Sequence, residues 1–303
     1  MKFSIYQVSR KGGRDKNEDR MGYCYTRSSG LFALADGMGG HPEGEVASQL
    51  ALQTLASVYQ RDAKPTLPDP IRFLHDAVLS GHHQLIRYAT DKALLDTPRT
   101  TIVACVMQGS SAYWAHCGDS RLYLLRGDKL LARTRDHSYT ELQGSLNHKL
   151  PEAHRYNRNV LFTCLGSPGK PVVDTSGPIA LQPGDKMLLC SDGLWGALSD
   201  EAIVAHLVNR PISDAVPEMA EQALRNAGAN SDNVTALAVE WEGSVDAEPD
   251  VGTQGPRDEV FASTIQASLA PGDLATEELD DDEIERSIRE INEAIKRSAR
   301  KRH

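Results

Sequence analysis

The stretch LFALADGMGGHPEGE, residues 31–45, places an apolar run directly before Asp36 and Gly37. Leu31–Ala35 has the length and composition of a buried strand, and the Asp-Gly pair after it favours a turn. A strand that ends in this way places a carboxylate at the edge of the core, with the Gly37 carbonyl beside it. The stretch therefore predicts a buried strand that ends at a functional carboxylate.

Similar acidic turns recur along the chain. The segments CGDSR, LLCSDG and NSDNVT carry Asp119, Asp192 and Asp232 beside strand-like runs, and NEDR adds Glu18 and Asp19. A single Asp-Gly pair is most simply a turn, but four acidic turns at strand ends favour a shared site. Carboxylates that converge in this way repel each other unless cations neutralise them. Oxygen-only ligation selects hard divalent metals such as Mg²⁺ or Mn²⁺.

Strand-like runs and helical patterns alternate in blocks. Apolar and β-branched runs predict strands at Leu31–Ala35, Thr101–Met107, Ala112–Cys117, Arg121–Leu125, Lys186–Cys190 and Val234–Glu240. Helical spacing predicts helices over Glu43–Tyr59, from Pro70 with Asp69 as its cap, over Ser199–Val208 and over Ser213–Asn226. Short links between several strands imply antiparallel pairs, and the grouping of the helices predicts an α+β sandwich.

Composition excludes several classes of protein. The net charge of the chain is −9, but residues 243–303 contribute −7, so the remainder is close to neutral. A near-neutral body argues against a nucleic-acid platform. No apolar run approaches the roughly 18 to 20 residues of a membrane span, and no secretory signal is evident, so we expect a cytoplasmic protein. The five scattered cysteines are expected to be reduced core residues.

We assign the body to residues 1–242, and three segments of the chain differ from it in composition, the first of them an insertion within the body. Residues 135–177 are rich in charged, His and Asn residues, which indicates a mobile insertion over the site. Residues 243–275 have the composition of a flexible linker. Residues 276–303 predict an amphipathic charged helix with an isoleucine stripe. That helix either rests on the body as a solvated element or binds a partner.

Taken in order, RDKNED (14–19), LADGMGGHPEGE (34–45), Thr100-Thr101, CGDSR (117–121), CSDGLWG (190–196) and SDNVT (231–235) resemble the metal-dependent protein phosphatase family, of PPM or type-2C kind. The resemblance covers residues 1–242 and is to the bacterial branch. It implies a four-layer α-β-β-α sandwich of two mainly antiparallel sheets, with residues 135–177 as a flap. It also implies hydrolysis of phosphoserine and phosphothreonine in proteins by a metal-bridging hydroxide.

The resemblance further implies a set of metal ligands for Mn²⁺ or Mg²⁺. Asp36 would bridge two ions, and the Gly37 carbonyl would bind the first of them. Asp192 and Asp232 would hold the second ion, which Glu18 would contact directly or through water. Each of these positions matches its motif residue by residue.

Three further residues take roles from the same resemblance. Asp19 would orient metal-bound water, and Asp119 with Asp192 would hold a more weakly bound third ion. Arg14 fits the phosphate-binding arginine, because its planar fork suits two phosphate oxygens. The substrates implied are phosphorylated proteins, either targets of a Ser/Thr kinase or the kinase itself.

One position departs from part of the family. Some members have His directly after the Asp-Gly pair as a candidate general acid, whereas this chain has Met38. His41 and His116 are the nearest alternatives, although a turn-supporting role for His41 and a core role for His116 are favoured. Thr100 and Thr101 are explained by packing beneath the metals.

Other signals are set aside. LGSPGK (165–170) lacks the spacing of a nucleotide loop and indicates a turn. His82, His83 and His137 have no ligands at zinc spacing and are expected at the solvated surface. Two rival functions remain: a pseudophosphatase that holds a partner through the same fold and its tail, and a phosphatase for a small phosphoester or an anti-sigma-factor partner.

Overall fold

Two antiparallel sheets lie at the centre of the protein, described here from a computed structural model that covers residues 1–39, 43–145, 160–208, 210–243 and 261–265. The strands are β1 (Lys2–Arg10), β2 (Asp19–Tyr25), β3 (Ser29–Asp36), β4 (Ile102–Gln108), β5 (Ser111–Cys117), β6 (Arg121–Arg126), β7 (Lys129–Arg133), β8 (Asp174–Ala180), β9 (Lys186–Cys190), β10 (Val234–Gly243) and β11 (Ala262–Ser263). One sheet has the order β1-β10-β9-β6-β7, and the other has the order β11-β2-β3-β4-β5-β8.

Six α-helices accompany the sheets in the described ranges. They are α1 (Gly44–Asp62), α2 (Pro70–Asp91), α3 (Tyr139–Ser145), α4 (Asp192–Trp195), α5 (Asp200–Leu207) and α6 (Ile212–Ala227). The Asp69 side chain accepts a hydrogen bond from the Arg72 amide at 3.0 Å and so caps α2, as predicted. The Ser199 hydroxyl caps α5 in the same way, by accepting from the Ala202 amide.

Three separate apolar cores give the molecule four layers. The first lies between α1, α2 and the β2–β5 sheet, the second between the two sheets, and the third between α4–α6 and the other sheet. Strand β3 contributes to two of them, because Leu31 and Ala33 face the helices while Phe32 and Leu34 face the opposite sheet. The α-β-β-α architecture implied by the resemblance is therefore confirmed.

The six strands and the four helices predicted for the body are all present, and β7 follows β6 through a short link of the kind that implied antiparallel pairs. Four strands were not predicted. The missed strands are β1, β2, β8 and β11. Strand β1 pairs with β10 along its whole length, from Lys2 opposite Gly243 to Arg10 opposite Val234. Because β1 lies at a sheet edge, polar side chains interrupt its apolar pattern. A prediction based on apolar runs therefore misses it.

The flap segment is more firmly anchored than its composition indicated. Its two described parts, 135–145 and 160–177, both contain buried residues, namely Asp136, His137 and Ser138 before the gap and Cys164 and Leu165 after it. Isolated bridges join Ser138 to Leu161 and Thr100 to Leu165, and β8 begins at Asp174. Of the predicted insertion 135–177, residues 146–159 lie outside the described residues.

The predicted linker 243–275 also differs from the structure, because part of it returns to the sheet. Strand β11 pairs with β2, with Ala262 opposite Tyr25 and Ser263 opposite Cys24. Ile265 is buried in the first core, between α1, α2 and the β2–β5 sheet. A Cβ at Gly22 would lie only 2.5 Å from the Cγ1 atom of Ile265. The absent side chain of Gly22 thus makes the space that Ile265 fills. The predicted helix 276–303 lies outside the described residues.

All five cysteines are buried and unpaired with one another, as predicted for reduced thiols. Within the described ranges, no helix combines the length and the hydropathy that crossing a membrane requires.

Replacing Ile265 by alanine should lower the free energy of unfolding by about 2 kcal/mol, since it removes a buried side chain without filling its space. Chemical denaturation of the full chain measures the change. Leu95→Ala is the matched control, because Leu95 is 66% exposed and its loss should have little effect. Equal stabilities for Ile265→Ala and Leu95→Ala would contradict the docking of residues 261–265 on β2.

Candidate metal and phosphate site

The acidic residues predicted from the sequence meet at one end of the two sheets. Asp19 begins β2, Asp36 ends β3, and the two residues are paired in the sheet register. From the other sheet, β9 ends at Cys190, and Asp192 starts the one-turn helix α4 after it. Asp232 directly precedes Asn233 and strand β10. Chain segments more than two hundred residues apart thus share one site.

A cavity of about 490 Å³ opens at this end of the sandwich. It is lined by seven of the eight predicted site residues, namely Arg14, Glu18, Asp36, Gly37, Asp119, Asp192 and Asp232. The eighth, Asp19, is 3% exposed and lies behind the wall. Leu161, from the flap, also lines the cavity, which agrees with the predicted position of that segment over the site.

Asp19 and Asp36 form the buried centre of the cluster. Burial raises the pKa of Asp19 to about 7, even though the Ser191 hydroxyl donates a 2.8 Å hydrogen bond to its Oδ2. Loss of hydration, together with the charges of Asp19 and Asp192, raises the pKa of Asp36 well above its ordinary value. The Oδ1 atom of Asp19 is buried with no hydrogen-bond partner among the described residues. Such carboxylates are fully ionised near neutral pH only beside a compensating cation.

Asp119 and Glu18 extend the same electrostatic pattern. Burial, and then the charge of Asp192, raises the pKa of Asp119 to about 8. Burial also raises the pKa of Glu18, with a further contribution from the charge of Glu45. All side-chain donors in the cluster are carboxylate oxygens, which is the ligand chemistry of Mg²⁺ and Mn²⁺. The residues present therefore fit divalent cations.

Arg14 is the cation nearest to this cluster on the cavity wall. Its Nη2 donates a hydrogen bond to Asp232 Oδ2 at 2.6 Å, and 55% of its side chain is exposed. The hydrogen bond and charge of Asp232 raise the Arg14 pKa above its ordinary value. Arg14 is thus charged, accessible from the cavity and in direct contact with Asp232, one member of the acidic cluster.

Two residues that support the site were not identified from the sequence. Asn233 accepts a 2.8 Å hydrogen bond from the Glu18 amide through its Oδ1, and its Nδ2 donates to the carbonyls of Lys11 and Lys16. Ser191 donates to Asp19 and accepts from the Thr235 amide. Both residues precede or follow a predicted metal ligand directly, which is the signal that could have pointed to them.

The threonine pair does more than pack. Thr100 Oγ1 donates to the Asp36 carbonyl at 2.8 Å, and Thr101 Oγ1 accepts a hydrogen bond from the Asp36 amide at 3.2 Å. Met38 lines the cavity, as its position after Gly37 predicts. His41 lies outside the described residues. His116 is buried away from the cavity lining, which agrees with the core role favoured for it.

Two histidines expected at the solvated surface are buried instead. His82 is 1% exposed, and its Nδ1 accepts a hydrogen bond from the Gly166 amide at 3.1 Å. Burial lowers the His82 pKa to about 4. His137 is 4% exposed and stacks on His116 with ring centroids 4.5 Å apart. A ring nitrogen can satisfy a backbone amide inside the core, and sequence spacing gives no sign of that bond.

His116, His137 and Asp174 bring three possible ligand atoms within 4.8 Å of one another, but their geometry does not suit a metal ion. The His137 Nδ1 accepts from the Gly118 amide at 3.2 Å, so a neutral ring carries its proton on Nε2, beside Asp174. The two rings are inclined by only 26°, so one cation cannot lie close to both ring planes. The cluster is better described as packing that fixes the base of the flap.

Close backbone contacts also fix the segments that carry the acidic residues, between the ends of β9 and β10 and between the end of β3 and the start of α1. A Cβ at Gly193 would lie 2.1 Å from the Asn233 carbonyl oxygen, and one at Gly37 would lie 2.3 Å from the Gly44 carbonyl oxygen. Only glycine permits these approaches. Gly193 thereby places Asp192 next to Asp232, and Gly37 places Asp36 next to the start of α1.

Comparison with known families identifies this arrangement. The family profile described as protein phosphatase 2C matches residues 9–233, which is most of the chain. The chain belongs to this family. The predicted resemblance to bacterial metal-dependent protein phosphatases is thereby confirmed.

Individual relatives in the family are bacterial serine/threonine phosphatases. PstP of Mycobacterium tuberculosis is 35% identical over 229 residues, which are 75% of this chain but only 42% of PstP. The phosphatase stp of Listeria innocua is 31% identical over 240 residues, covering 78% of this chain and 94% of stp. This chain therefore spans less than half of the first relative and nearly all of the second.

Solved structures in the family share the fold. The M. tuberculosis PstP crystal structure aligns with a TM-score of 0.67 at 33% identity, covering 79% of this chain and 99% of that one. A structure of the PstP catalytic domain contains two manganese ions and aligns with a TM-score of 0.65 at 31% identity, over 78% and 97% of the two chains. The fold of the sandwich is thus shared with known phosphatases.

Replacing Gly193 by alanine should disrupt the site, because the new methyl group cannot fit against the Asn233 carbonyl unless the two strands separate. We expect a loss of about 1–3 kcal/mol in unfolding free energy, measured by chemical denaturation. Gly81→Ala is the control, since a Cβ at this position in α2 would lie 3.7 Å from the Ala51 Cα in α1, an ordinary contact. A Gly193→Ala protein as stable as Gly81→Ala would contradict this spacing.

Proposed function

We propose that this chain hydrolyses phosphoserine and phosphothreonine in proteins as a metal-dependent serine/threonine phosphatase. One observation carries the proposal: carboxylates from both sheets line one cavity, and an exposed arginine lies beside them. The carboxylates suit divalent cations, and the arginine suits the anionic substrate. Family membership and the names of the relatives support the same activity.

The cofactors we propose are two Mn²⁺ or Mg²⁺ ions, with a third bound more weakly. Asp36 and the Gly37 carbonyl would hold the first ion, and Asp36, Asp192, Asp232 and Glu18 would hold the second. Asp119 would share the third ion with Asp192. When bound, such ions lower the pKa of a water molecule and neutralise the charge of the phosphate. The oxygen-only donor set and the unpartnered Oδ1 of Asp19 support this assignment.

Arg14 is proposed as the phosphate-binding residue. Its guanidinium carries N–H groups in one plane, so it can bind two phosphate oxygens while still facing Asp232. Asp19 is proposed to accept a hydrogen bond from the attacking water. The Ser191 hydroxyl fixes Asp19 Oδ2, which leaves its other oxygen as the acceptor for that water.

The substrates we propose are phosphorylated proteins, either targets of a Ser/Thr kinase or the kinase itself. The relatives are named serine/threonine protein phosphatases, which supports this substrate class. We also propose action in the cytoplasm, because five buried and unpaired cysteines suit a reducing compartment.

Phosphate release from a phosphothreonine peptide tests the activity. The purified full chain should be inactive after EDTA treatment and regain activity with Mn²⁺ or Mg²⁺. Asp36→Asn should lower turnover by at least about 100-fold, because it weakens the proposed bridge between two ions. Circular dichroism should show the variant to be folded. A folded wild-type chain with no turnover on the peptide with any metal would favour the pseudophosphatase, and turnover of p-nitrophenyl phosphate alone would favour a small phosphoester.

Arg14→Ala should raise KM for the phosphopeptide by roughly 10-fold or more, because it removes a charge-assisted pair with the phosphate. Steady-state kinetics at saturating Mn²⁺ measures this effect. Arg10→Ala is the matched control, since Arg10 makes an exposed ion pair with Glu221 at 3.2 Å and does not line the cavity. Equal kinetic constants for the two variants would remove Arg14 from the site.

A further inference from the structure

Arg121, the first residue of β6, is buried beside the site and held on several sides. Its Nε donates a hydrogen bond to Asp136 Oδ1, and its Nη2 donates one to Asp136 Oδ2, each at 2.7 Å. Its Nη1 donates to the Tyr123 hydroxyl at 3.1 Å and to Asp200 at 3.3 Å. Only 8% of Arg121 is exposed. A planar guanidinium with this many partners has one available position.

Trp195 connects Arg121 to the acidic cluster. The guanidinium carbon of Arg121 lies 3.7 Å from the centre of the Trp195 ring, in a cation–π contact. The indole Nε1 of Trp195 donates a 2.9 Å hydrogen bond to the Asp119 carbonyl. Trp195 also ends α4, the one-turn helix that Asp192 begins. One indole therefore joins the segments that carry Asp119 and Asp192.

The base of the flap is joined to the same segment. Asp136, which holds Arg121, is followed by His137, whose amide donates to the Gly118 carbonyl at 3.0 Å. The Gly118 amide in turn donates to His137 Nδ1. Residues 118–121 are thus fixed to the flap base through Asp136 and His137, and to α4 through Trp195.

We propose that Arg121 is a positioning residue that, through Trp195, sets the separation of the Asp119 and Asp192 carboxylates and so the affinity of the third cation. The inference rests on the proposed function, because those two carboxylates are the ligands proposed for that ion. Its reason is geometric: Asp119 lies between β5 and β6, and Asp192 begins the one-turn helix α4, so neither residue lies within a strand. Arg121 and Trp195 join these two segments to each other.

A matched control lies at the other end of the same strand. Arg126, the last residue of β6, donates two hydrogen bonds to Asp185 at 2.8 and 2.7 Å. This pair has the same chemistry as Arg121 with Asp136, but it lies at the end of β6 that is farther along the chain from Asp119. Arg126→Lys therefore measures the general cost of changing an arginine–aspartate pair on β6.

The experiment is a Mn²⁺ titration of the full chain by isothermal calorimetry. In Asp119→Asn the weak binding step should disappear, which identifies that step in the wild-type titration. Arg121→Lys keeps the charge but removes the two-point pairing and the flat ring contact. We expect it to weaken the weak site about 10-fold, or roughly 1.4 kcal/mol, and to leave the tight sites unchanged. Arg126→Lys should match the wild type at every site.

Trp195→Phe provides a second test, because it keeps an aromatic ring over Arg121 and removes only the N–H that binds the Asp119 carbonyl. It should also weaken the third site, and it decides the question if Arg121→Lys does not fold. Wild-type affinity in Arg121→Lys and Trp195→Phe would overturn the inference. A wild type that binds no Mn²⁺ and releases no phosphate would instead overturn the proposed function.

Discussion

Repulsion between carboxylates is the constraint on which this structure depends. Asp19 and Asp36 face each other in paired strands, and Asp119, Asp192 and Asp232 converge on the same cavity. Water would weaken this repulsion, but burial excludes it around the innermost groups, and their pKa values rise as a result. The fold therefore holds a concentration of negative charge that is stable as a set of anions only beside cations.

The neighbours of the cluster oppose that repulsion through rigid contacts. The hydroxyls of Thr100 and Ser191 and the amide of Asn233 hold the backbone or carboxylates of the acidic segments. Close backbone contacts hold Gly193 against Asn233 and Gly37 against the start of α1. Most of these supports are neutral, so they fix positions without cancelling the charge that attracts a metal.

The sequence was sufficient to predict the parts of the molecule in which pattern and chemistry coincide. The apolar runs predicted β3–β6, β9 and β10. The acidic segments and the family resemblance together named seven of the residues that line the cavity, and Asp19, also named, lies behind its wall. Edge strands such as β1 and the mostly exposed β8 lack this signal, because solvent accepts polar side chains on them.

Several other contacts between distant segments carried no signal in the sequence. The burial of His82 depends on a hydrogen bond to Gly166, and the place of Ile265 depends on the absence of a side chain at Gly22. The pairing of Arg121 with Asp136 and Trp195 is likewise invisible in the local pattern. Such contacts become evident only when the chain is folded, because no periodic pattern records which distant residues meet.

The pairing of β1 with β10 has a consequence for how the protein forms. The first strand of the chain finds its only sheet neighbour in the described structure at residues 234–243, so that sheet cannot be completed until almost the whole body is synthesised. Arg14 and Glu18 reach Asp232 and Asn233 across the same distance in sequence. Long-range pairing of this kind slows folding, because the loop-closure entropy is lost before the contacts are gained. A growing chain on the ribosome therefore carries its acidic segments separately, and the full density of charge arises only in the last step of folding.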